Sequence, residues 1–387
     1  MVSIAGLRYE IAIIVEDHKK TALNLTQLSL LLNAATSLLA LIAIFLFKES
    51  IASFFQFSNP NTLFLLPCII GLTSSTETLI SWRNREKQYK QISTNKVIIS
   101  TSSTAYKLAH PFVFTQNAHG LLFGHVLGQL LALLHIARKL PSHLFQVSKE
   151  IVTSIAKKYR SFMLYSTPAA LLNILAVNMP WFIISAMDSQ AATGQFGNAY
   201  KLTYMPMSMV AMALSQVFFQ QIARVKNDKE QASTLSHDLI NLLYAVAVIP
   251  VAILVVWGDL IAPFILGPEW KDAGIYIQVT IVFYFTMFLT SPFSSAFSTY
   301  NKLQVQLIYN FVFLVSTSTA LYLGYIIGGS TQHALAYFAV TGTILRIGVL
   351  NYFFTLFGKK LVTKTIFAIL FATLLIYLGF GIREGFI

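Results

Sequence analysis

The sequence predicts an all-α integral membrane protein with about eleven transmembrane helices. Apolar stretches of about twenty residues, the length that crosses a bilayer as a helix, recur along the whole chain. Only 11% of the 387 residues are charged, whereas about a quarter are charged in soluble domains. The sequence lacks ten-residue segments of alternating polarity, which would indicate a transmembrane β-barrel instead.

The spans follow one another from the amino end with short loops between them. The first twenty residues carry too many charges to span a bilayer or to act as a cleavable signal peptide. Four spans come before a long basic stretch and seven after it. Their approximate bounds are 25–47, 62–82, 97–116, 118–137, 161–187, 198–222, 238–257, 274–297, 303–327, 332–355 and 362–381.

The basic stretch, Arg138–Arg160, divides the chain into two groups of spans. It contains six Lys or Arg residues against one acid, Glu150, and its apolar residues recur at steps of three and four, which predicts a surface helix. Similar loop-to-helix stretches at Phe57 and Leu266 favour two pseudo-repeated lobes. We therefore expect an amino-terminal lobe at 1–137, a cytoplasmic linker at 138–160, a carboxyl-terminal lobe at 161–358 and an extra helix at 359–387.

The basic residues predict the orientation, because loops rich in Lys and Arg stay in the cytoplasm. If the loop at Lys19 is cytoplasmic and the spans alternate from there, most of the 27 Lys and Arg residues fall on the cytoplasmic side. The opposite side keeps only Lys48, Lys271 and Arg383. This asymmetry predicts a cytoplasmic amino end, a cytoplasmic linker and a carboxyl end outside.

Four charged residues fall within predicted spans: Glu77, Lys107, Lys201 and Arg346. A charge at mid-bilayer costs about 2.5–3.5 kcal/mol, so each needs a physical reason. Lys201 is near the outer end of its span and can extend to the interface. Glu77 and Lys107 lie at similar depth on consecutive helices, where an ion pair is one interpretation. Arg346 has no acid in its span, so we expect it in a water-filled cavity, the alternative being a contact with backbone carbonyls.

Other patterns predict no cofactor, metal site or nucleic-acid site. The eight histidines form no pair at the spacing of a zinc-binding helix, and the net charge of +12 fits basic cytoplasmic loops better than a nucleic-acid surface. Cys68 is the single cysteine, which excludes an intramolecular disulfide. Gly120, Gly124 and Gly128 are spaced for close helix packing rather than for binding phosphate.

Several stretches together resemble the Wzx-type O-antigen flippases, which belong to the superfamily of multidrug and toxin extruders and lipid II flippases. The resemblance covers nearly the whole chain. The stretches that carry it are LRYEIAIIV at Leu7, SWRNREKQYKQIS at Ser81, KKYRSFMLYSTPAALLNILAVNMP at Lys157, YKLTYMPMSMVAMALSQVFFQQIAR at Tyr200 and FILGPEWKDAGIYIQV at Phe264.

The resemblance implies two lobes around a central cleft that opens to either side in turn. It implies transport of an undecaprenyl-pyrophosphate-linked oligosaccharide across the bacterial inner membrane, with membrane lipids and other polysaccharide assembly proteins as partners, and no enzymatic activity. Candidate substrate contacts are then Arg346 and Lys107, facing each other from the two lobes, with Glu77, Lys201 and Arg8. In these flippases the Arg-Tyr-Glu stretch closes the second helix. Because it begins here at Arg8, we expect two helices to be missing and transport by this chain to be impaired.

Three other functions compete with this interpretation. A cation-coupled multidrug exporter of the same superfamily needs carboxylates at depth, and the spans offer only Glu77. A membrane enzyme such as an O-antigen polymerase or ligase needs a large outer loop, but the longest one here, Gly258–Gly274, is short. A non-functional or scaffolding member of the flippase family fits the missing helices.

Overall fold

The computed structural model describes residues 2–54, 59–113, 119–138, 140 and 149–358, and the regular secondary structure of these residues is entirely helical. The α-helices are α1 (Val2–Ala5), α2 (Tyr9–Val15), α3 (Lys19–Phe54), α4 (Leu65–Arg85), α5 (Tyr89–Val113), α6 (His119–Ala137), α7 (Lys149–Lys158), α8 (Thr167–Met187), α9 (Gln190–Arg224), α10 (Lys229–Leu266), α11 (Lys271–Thr290), α12 (Ala296–Thr299), α13 (Leu303–Gly328) and α14 (Thr331–Leu356).

The predicted all-α membrane fold is confirmed. Nine of the described helices are long and apolar enough to cross a membrane, and each coincides with a predicted span. The predicted span at 97–116 falls on α5, whose 25 residues are about 37 Å long but too polar to count among the nine. The predicted span at 362–381 lies outside the described residues.

The chain forms two compact units, residues Met1–Ala170 and Leu171–Ile387. The division falls four residues into α8, because the basic linker packs with the amino-terminal unit. The lobe boundaries that we drew from the sequence remain predictions.

In the amino-terminal unit, α5 and α6 pack together through the predicted glycines of α6. A Cβ atom at Gly128 would lie 3.0 Å from the carbonyl oxygen of Ile99, and one at Gly124 would lie 2.8 Å from Cγ of Lys107. The side chain of Lys107 therefore lies along the groove that Gly124 leaves open. The prediction of close helix packing at these glycines is confirmed.

Two arginines at the end of α4 cap other helices of this unit. Arg83 is 3% exposed and donates from Nε and Nη2 to the carbonyl of Ile136, at 3.3 and 3.0 Å, and to the carbonyl of Arg138 at the end of α6. Arg85 donates to the carbonyls of Glu16 and Asp17, just past the end of α2. Since the last carbonyls of a helix lack intrahelical partners, these guanidinium groups stabilise both ends.

The linker helix α7 is anchored to the same unit. Its Ile155 is buried, and the hydroxyl of Tyr9 donates to the carbonyl of Ala156 at 3.0 Å. Lys158 forms an ion pair of 3.5 Å with Glu16, which is itself buried. The Arg-Tyr-Glu stretch thus helps to hold the linker in place.

The carboxyl-terminal unit is built around α11. This helix is apolar around its whole circumference and almost fully buried, as expected for a helix surrounded by others. It packs against α9, α10 and α14. Because α11 lies at the centre of the unit, its side chains point into the interior of the unit, where the candidate site is found.

Candidate substrate site

Arg346 lies in the interior of the carboxyl-terminal unit. Its side chain projects from α14 and is 9% exposed. Its Nη1 donates to the hydroxyl of Thr290 on α11 at 3.4 Å, and its guanidinium carbon lies 4.7 Å from the ring centre of Phe313 on α13. Its contacts are therefore a hydroxyl and an aromatic face, not the backbone carbonyls of the alternative interpretation.

No described carboxylate neutralises this guanidinium. The salt bridges among the described residues join other groups, and Nε of Arg346 is buried without a hydrogen-bond partner. The positive charge of Arg346 interacts electrostatically with the phenol groups of Tyr204 and Tyr309. The Tyr309 hydroxyl also lacks a hydrogen-bond partner. Arg346 and Tyr309 thus offer unused hydrogen-bonding groups beside a buried positive charge, which is an arrangement that suits an anion.

A small aromatic pocket lies next to Arg346 in the same unit, with internal space of about 20 Å³, enough for about one water molecule. Side chains from α8, α9, α11, α13 and α14 line it; the rings and proline among them include Pro180, Phe196, Tyr200, Phe283, Tyr284 and Phe313. Phe313 belongs both to this lining and to the stacking contact of Arg346. The pocket and the guanidinium are therefore parts of one site.

The pocket rings hold one another in place by edge-to-face and tilted contacts. Tyr200 lies 5.7 Å from Tyr284 and 4.9 Å from Trp181, measured between ring centres. Tyr204 lies 5.1 Å from Tyr200 and 5.4 Å from Tyr284. Such contacts stabilise a fixed arrangement of rings. Trp181 and Tyr204, which do not line the pocket themselves, thus support the lining residues Tyr200 and Tyr284.

Two of the remaining candidates lie in the amino-terminal unit, but not as the predicted pair. Glu77 and Lys107 form no salt bridge, although the structure describes both. The exposed side chain of Glu77 interacts electrostatically with Lys96 and with Glu10, whereas Lys107 lies near His125. The interpretation as a structural Glu77–Lys107 ion pair is therefore wrong, because the two side chains leave their helices toward different neighbours.

Arg8 and Lys201 have different surroundings. Arg8 precedes α2 in the left-handed region, with φ of 63°, and its half-buried guanidinium lies near the carboxylate of Glu10. Lys201 is exposed on α9 and is not part of the lining of the aromatic pocket, although it follows Tyr200 directly. Neither residue shares the site around Arg346.

Two features of the structure are absent from the sequence-based site. One is the aromatic pocket; its signal was the spacing of Phe196, Tyr200 and Tyr204, which places three rings on one face of a helix. The other is Glu10, whose Oε2 is buried without a partner. Burial raises the pKa of the Glu10 carboxyl, and the charge of Arg8 opposes this. Glu10 was not among the predicted site residues, because the first twenty residues carry too many charges to span a bilayer.

The fold is similar to that of solved transporters. A superfamily transporter from Pyrococcus furiosus, whose binding pocket is described as having reversed polarity, aligns over 93% of this chain and 85% of its own, with 15% identity and a TM-score of 0.75. An outward-facing multidrug resistance MATE transporter aligns over 92% and 83%, with 15% identity and a TM-score of 0.75. The Vibrio cholerae MATE transporter VcmN in its bent form aligns over 92% and 84%, with 12% identity and a TM-score of 0.72.

At these identities the likeness concerns the fold, which is that of the multi-pass MATE transporters. No curated protein matches the chain in sequence. A family model described as polysaccharide biosynthesis protein matches residues 9–275. Because this match covers well over half of the 387 residues, the chain belongs to the polysaccharide biosynthesis protein family.

Proposed function

We propose that the protein is a flippase that moves an undecaprenyl-pyrophosphate-linked oligosaccharide across the bacterial inner membrane by alternating access. The family supports a role in polysaccharide assembly, and the fold supports a membrane transporter. The observation that carries the proposal is Arg346, a buried guanidinium in a membrane span with no described carboxylate to balance it.

The physics of this transport requires such a charge. The polyprenyl tail of the substrate remains in lipid, but its pyrophosphate and sugars must pass the apolar layer. A fixed cation in the interior compensates the phosphate charge, and a guanidinium also offers a planar fork for two phosphate oxygens. Arg346, held between the Thr290 hydroxyl and the Phe313 ring, keeps Nε free for such a ligand.

The polarity of the site argues against a cationic substrate. The Pyrococcus furiosus transporter, with its pocket of reversed polarity, has a different function suggested for it. In this chain Arg346 gives the interior of the carboxyl-terminal unit a positive charge, which repels lipophilic cations and attracts phosphate. Lys107, half-buried in the amino-terminal unit, is a second cation inside a predicted span, but its ammonium would contact a phosphate only as a point charge.

Substitution of Arg346 tests the proposal in the native host with its own gene deleted. We expect Arg346→Ala to abolish surface polysaccharide while the protein stays abundant in the membrane, since the change strands no described carboxylate. We expect Arg346→Lys, which keeps the charge but loses the fork, to retain part of the transport. Surface polysaccharide and membrane abundance are measured on the same cells.

Lys271→Ala is the matched control, because it removes an exposed Lys at the start of α11 in the same unit. It should leave both measurements unchanged. Normal polysaccharide in the Arg346→Ala strain would contradict the proposal. Collapse of the protein level in that strain would show instead that Arg346 has a structural role.

A cation-coupled multidrug exporter is the second candidate, and one observation favours it. Glu77 interacts electrostatically with Glu10, so the amino-terminal unit offers two coupled carboxylates rather than the single one expected from the sequence. Such a pair suits binding of a proton or a metal cation. If the deletion strain keeps its polysaccharide but becomes sensitive to ethidium, and Glu77→Gln reproduces this sensitivity, the exporter is the correct function.

A further inference from the structure

We propose that one face of α5 is a water-facing wall that contacts the sugar chain of the substrate through its hydroxyl groups. This hydroxyl face consists of five exposed residues of α5, namely Ser93, Thr94, Ser100, Thr101 and Thr104. The inference rests on the proposed flippase function and adds to it the surface along which the oligosaccharide passes. It is carried by the polarity of the face, by the hydrogen bonding of its hydroxyls, and by charged residues beside it.

The helix α5 exposes polar side chains where other long helices expose apolar ones. The structure describes every residue from 93 to 105, and the exposed ones outside the hydroxyl face are Val97 and Ala105. By contrast, the exposed residues of α3 from Leu31 to Phe47 and of α10 from Leu242 to Leu260 are all apolar. Hydrocarbon suits the surfaces of α3 and α10, but it offers no hydrogen bonds to a row of hydroxyl groups.

The opposite side of α5 is fixed against α6, which determines the residues that are exposed. Asn95 and Ser103 are buried there, at 0% and 5% exposure. The Oδ1 atom of Asn95 lies 3.2 Å from Nδ1 of His135 on α6, and Ser103 packs where Gly128 has no side chain. The helix therefore cannot rotate its hydroxyl face inward without breaking these contacts.

The hydroxyl groups of this face have no hydrogen-bond partner among the described residues. A Ser or Thr in a helix can satisfy its hydroxyl by donating to a carbonyl one turn earlier. Thr203 and Thr280 do so at 2.7 and 2.6 Å, and even the exposed Ser208 donates to a carbonyl of its own helix at 2.7 Å. The hydroxyl face instead presents its donors and acceptors outward, to water or to a ligand rich in hydrogen-bonding groups.

Two charged residues within predicted spans lie beside the same face. Lys107 follows Thr104 by three residues and so adjoins it on the helix surface; it is half-buried and forms no hydrogen bond or ion pair with a described residue. Glu77 on α4 is exposed and interacts electrostatically with Lys96 on α5. Because charged groups at membrane depth require water or protein around them, these residues independently indicate that this side of the unit faces water.

The position of the face suits entry from the cytoplasm. In the predicted orientation it begins at the cytoplasmic end of α5, just after the basic loop Arg83–Lys96. From Ser93 to Thr104 it extends about 16 Å along the helix axis, at 1.5 Å per residue. This length accommodates several sugar units of a chain that enters the membrane layer from the cytoplasmic side.

A sugar chain fits the chemistry of the face better than lipid or an apolar helix does. Sugar hydroxyls donate and accept hydrogen bonds, as do Ser and Thr, and each such bond replaces one to water at little net cost. The face carries no charge or aromatic ring of its own that would hold one sugar tightly. It therefore lets an oligosaccharide pass without trapping it, whereas an apolar partner would leave the hydroxyls unsatisfied.

Water access is tested with cysteine variants of the full-length chain in which Cys68 is replaced by Ala. The protein in nanodiscs is treated with MTSES, a charged thiol reagent that does not enter lipid. We expect Ser100→Cys and Thr104→Cys to react at least about 10-fold faster than the controls, because the reactive thiolate forms in water and not in an apolar environment. The matched controls are Leu39→Cys on α3 and Ile249→Cys on α10, where the native residues are each 66% exposed on an apolar face.

Contact with the sugar chain is tested by removing hydroxyls without changing side-chain shape. The combined variant Ser100→Ala, Thr101→Val and Thr104→Val is expressed in the native host with its own gene deleted. We expect surface polysaccharide to appear about 5-fold more slowly after induction, because hydrogen bonds to the sugars are lost, while membrane abundance stays unchanged. The matched control, Ser100→Thr, Thr101→Ser and Thr104→Ser, keeps the hydroxyls and should transport normally.

The outcomes separate this inference from the flippase function. No MTSES reaction at either position would overturn the inference, since lipid or another helix would then cover the hydroxyl face. Normal polysaccharide in the apolar variant, or collapse of its protein level, would also overturn it, by showing a path for water alone or a role in folding. In each of these cases, loss of polysaccharide in Arg346→Ala cells would still support the flippase. Normal polysaccharide in Arg346→Ala cells would instead reject the flippase, on which this inference rests.

Discussion

At the scale of single residues, two buried arginines have different roles, one structural and one suited to binding a ligand. Arg83 uses its guanidinium to satisfy backbone carbonyls at the end of α6, and its donors are largely consumed there. Arg346 instead has one long hydrogen bond, a ring face and a free Nε. Both are buried, so burial alone does not distinguish a structural arginine from a ligand-binding one. The number of guanidinium N–H donors that have a hydrogen-bond partner distinguishes them.

Arg83 therefore gives a prediction about stability rather than transport. Arg83→Ala leaves the carbonyls of Ile136 and Arg138 without their donor, and we expect it to lower the free energy of unfolding by about 2–3 kcal/mol. Lys19→Ala is the control: it breaks the Lys19–Glu86 ion pair of 3.2 Å, whose Lys is mostly exposed, and should cost less than about 1 kcal/mol. Thermal unfolding of the purified protein measures both. Equal stability of the two variants would show that Arg83 is not a cap.

At the scale of elements, the packing of α5 on α6 decides which polar groups of the amino-terminal unit meet. The glycines of α6 let α5 approach until Ser103 touches the position of Gly128. This close approach places Lys107 along Gly124 and near His125. A helix as polar as α5 is stable in this position because its neighbour covers part of its surface.

Gly128→Leu tests this contact. The Cβ atom alone would lie 3.0 Å from the Ile99 carbonyl oxygen and 3.0 Å from Cβ of Ser103, and the rest of the Leu side chain has no room. We therefore expect the two helices to separate and the unfolding temperature to fall by several degrees. Gly194→Ala in α9 is the control, because a Cβ atom there has no neighbour within 4 Å. Its effect should be neutral or slightly stabilising, since Ala favours the helix more than Gly does. An unchanged unfolding temperature in Gly128→Leu would rule out close packing at this position.

At the scale of the whole molecule, the outer surface of the described helices is that of a protein solvated by lipid. Large apolar side chains are exposed along it, among them Phe264 at 90% and Phe45 at 71%. In water a protein with such a surface would aggregate, whereas in a bilayer the exposure of apolar side chains to lipid has no free-energy cost. The helix α10, with 38 residues, is about 57 Å long along its axis and so extends beyond a hydrocarbon layer of about 30 Å. The 36 residues of α3 are interrupted by a kink at Phe47.

The predicted orientation is a testable property of the whole chain. With the linker in the cytoplasm and eleven spans, reporter fusions at Lys149 and after Ile387 should lie in opposite compartments. Alkaline phosphatase is active only outside the cytoplasm. Green fluorescent protein fluoresces in the cytoplasm but not after export in an unfolded form, so the two reporters together identify both sides. The same compartment at both positions would refute the odd number of spans, seven, that the sequence predicts between the linker and the carboxyl end.

Sequence alone determined the class of this protein and the position of each described span along the chain. The helix ends were less well predicted, because α3, α5, α9 and α10 each extend six to nine residues beyond the predicted bounds on at least one side. The span positions follow from physics that acts locally: the length of an apolar stretch decides whether it spans a bilayer. The same local rules identified Arg346 as a buried cation and the glycines of α6 as a packing surface. Each of these properties belongs to one helix.

Only the tertiary structure decided which side chains meet. Depth along a span can be read from residue number, but the rotation of each helix about its axis and the choice of its neighbours cannot. For this reason the proposed pairing of Glu77 with Lys107 was wrong, and Glu10 was overlooked. For the same reason the aromatic pocket, whose lining comes from α11 and four other helices, became visible only when their rings were brought together, because non-local packing sets those contacts.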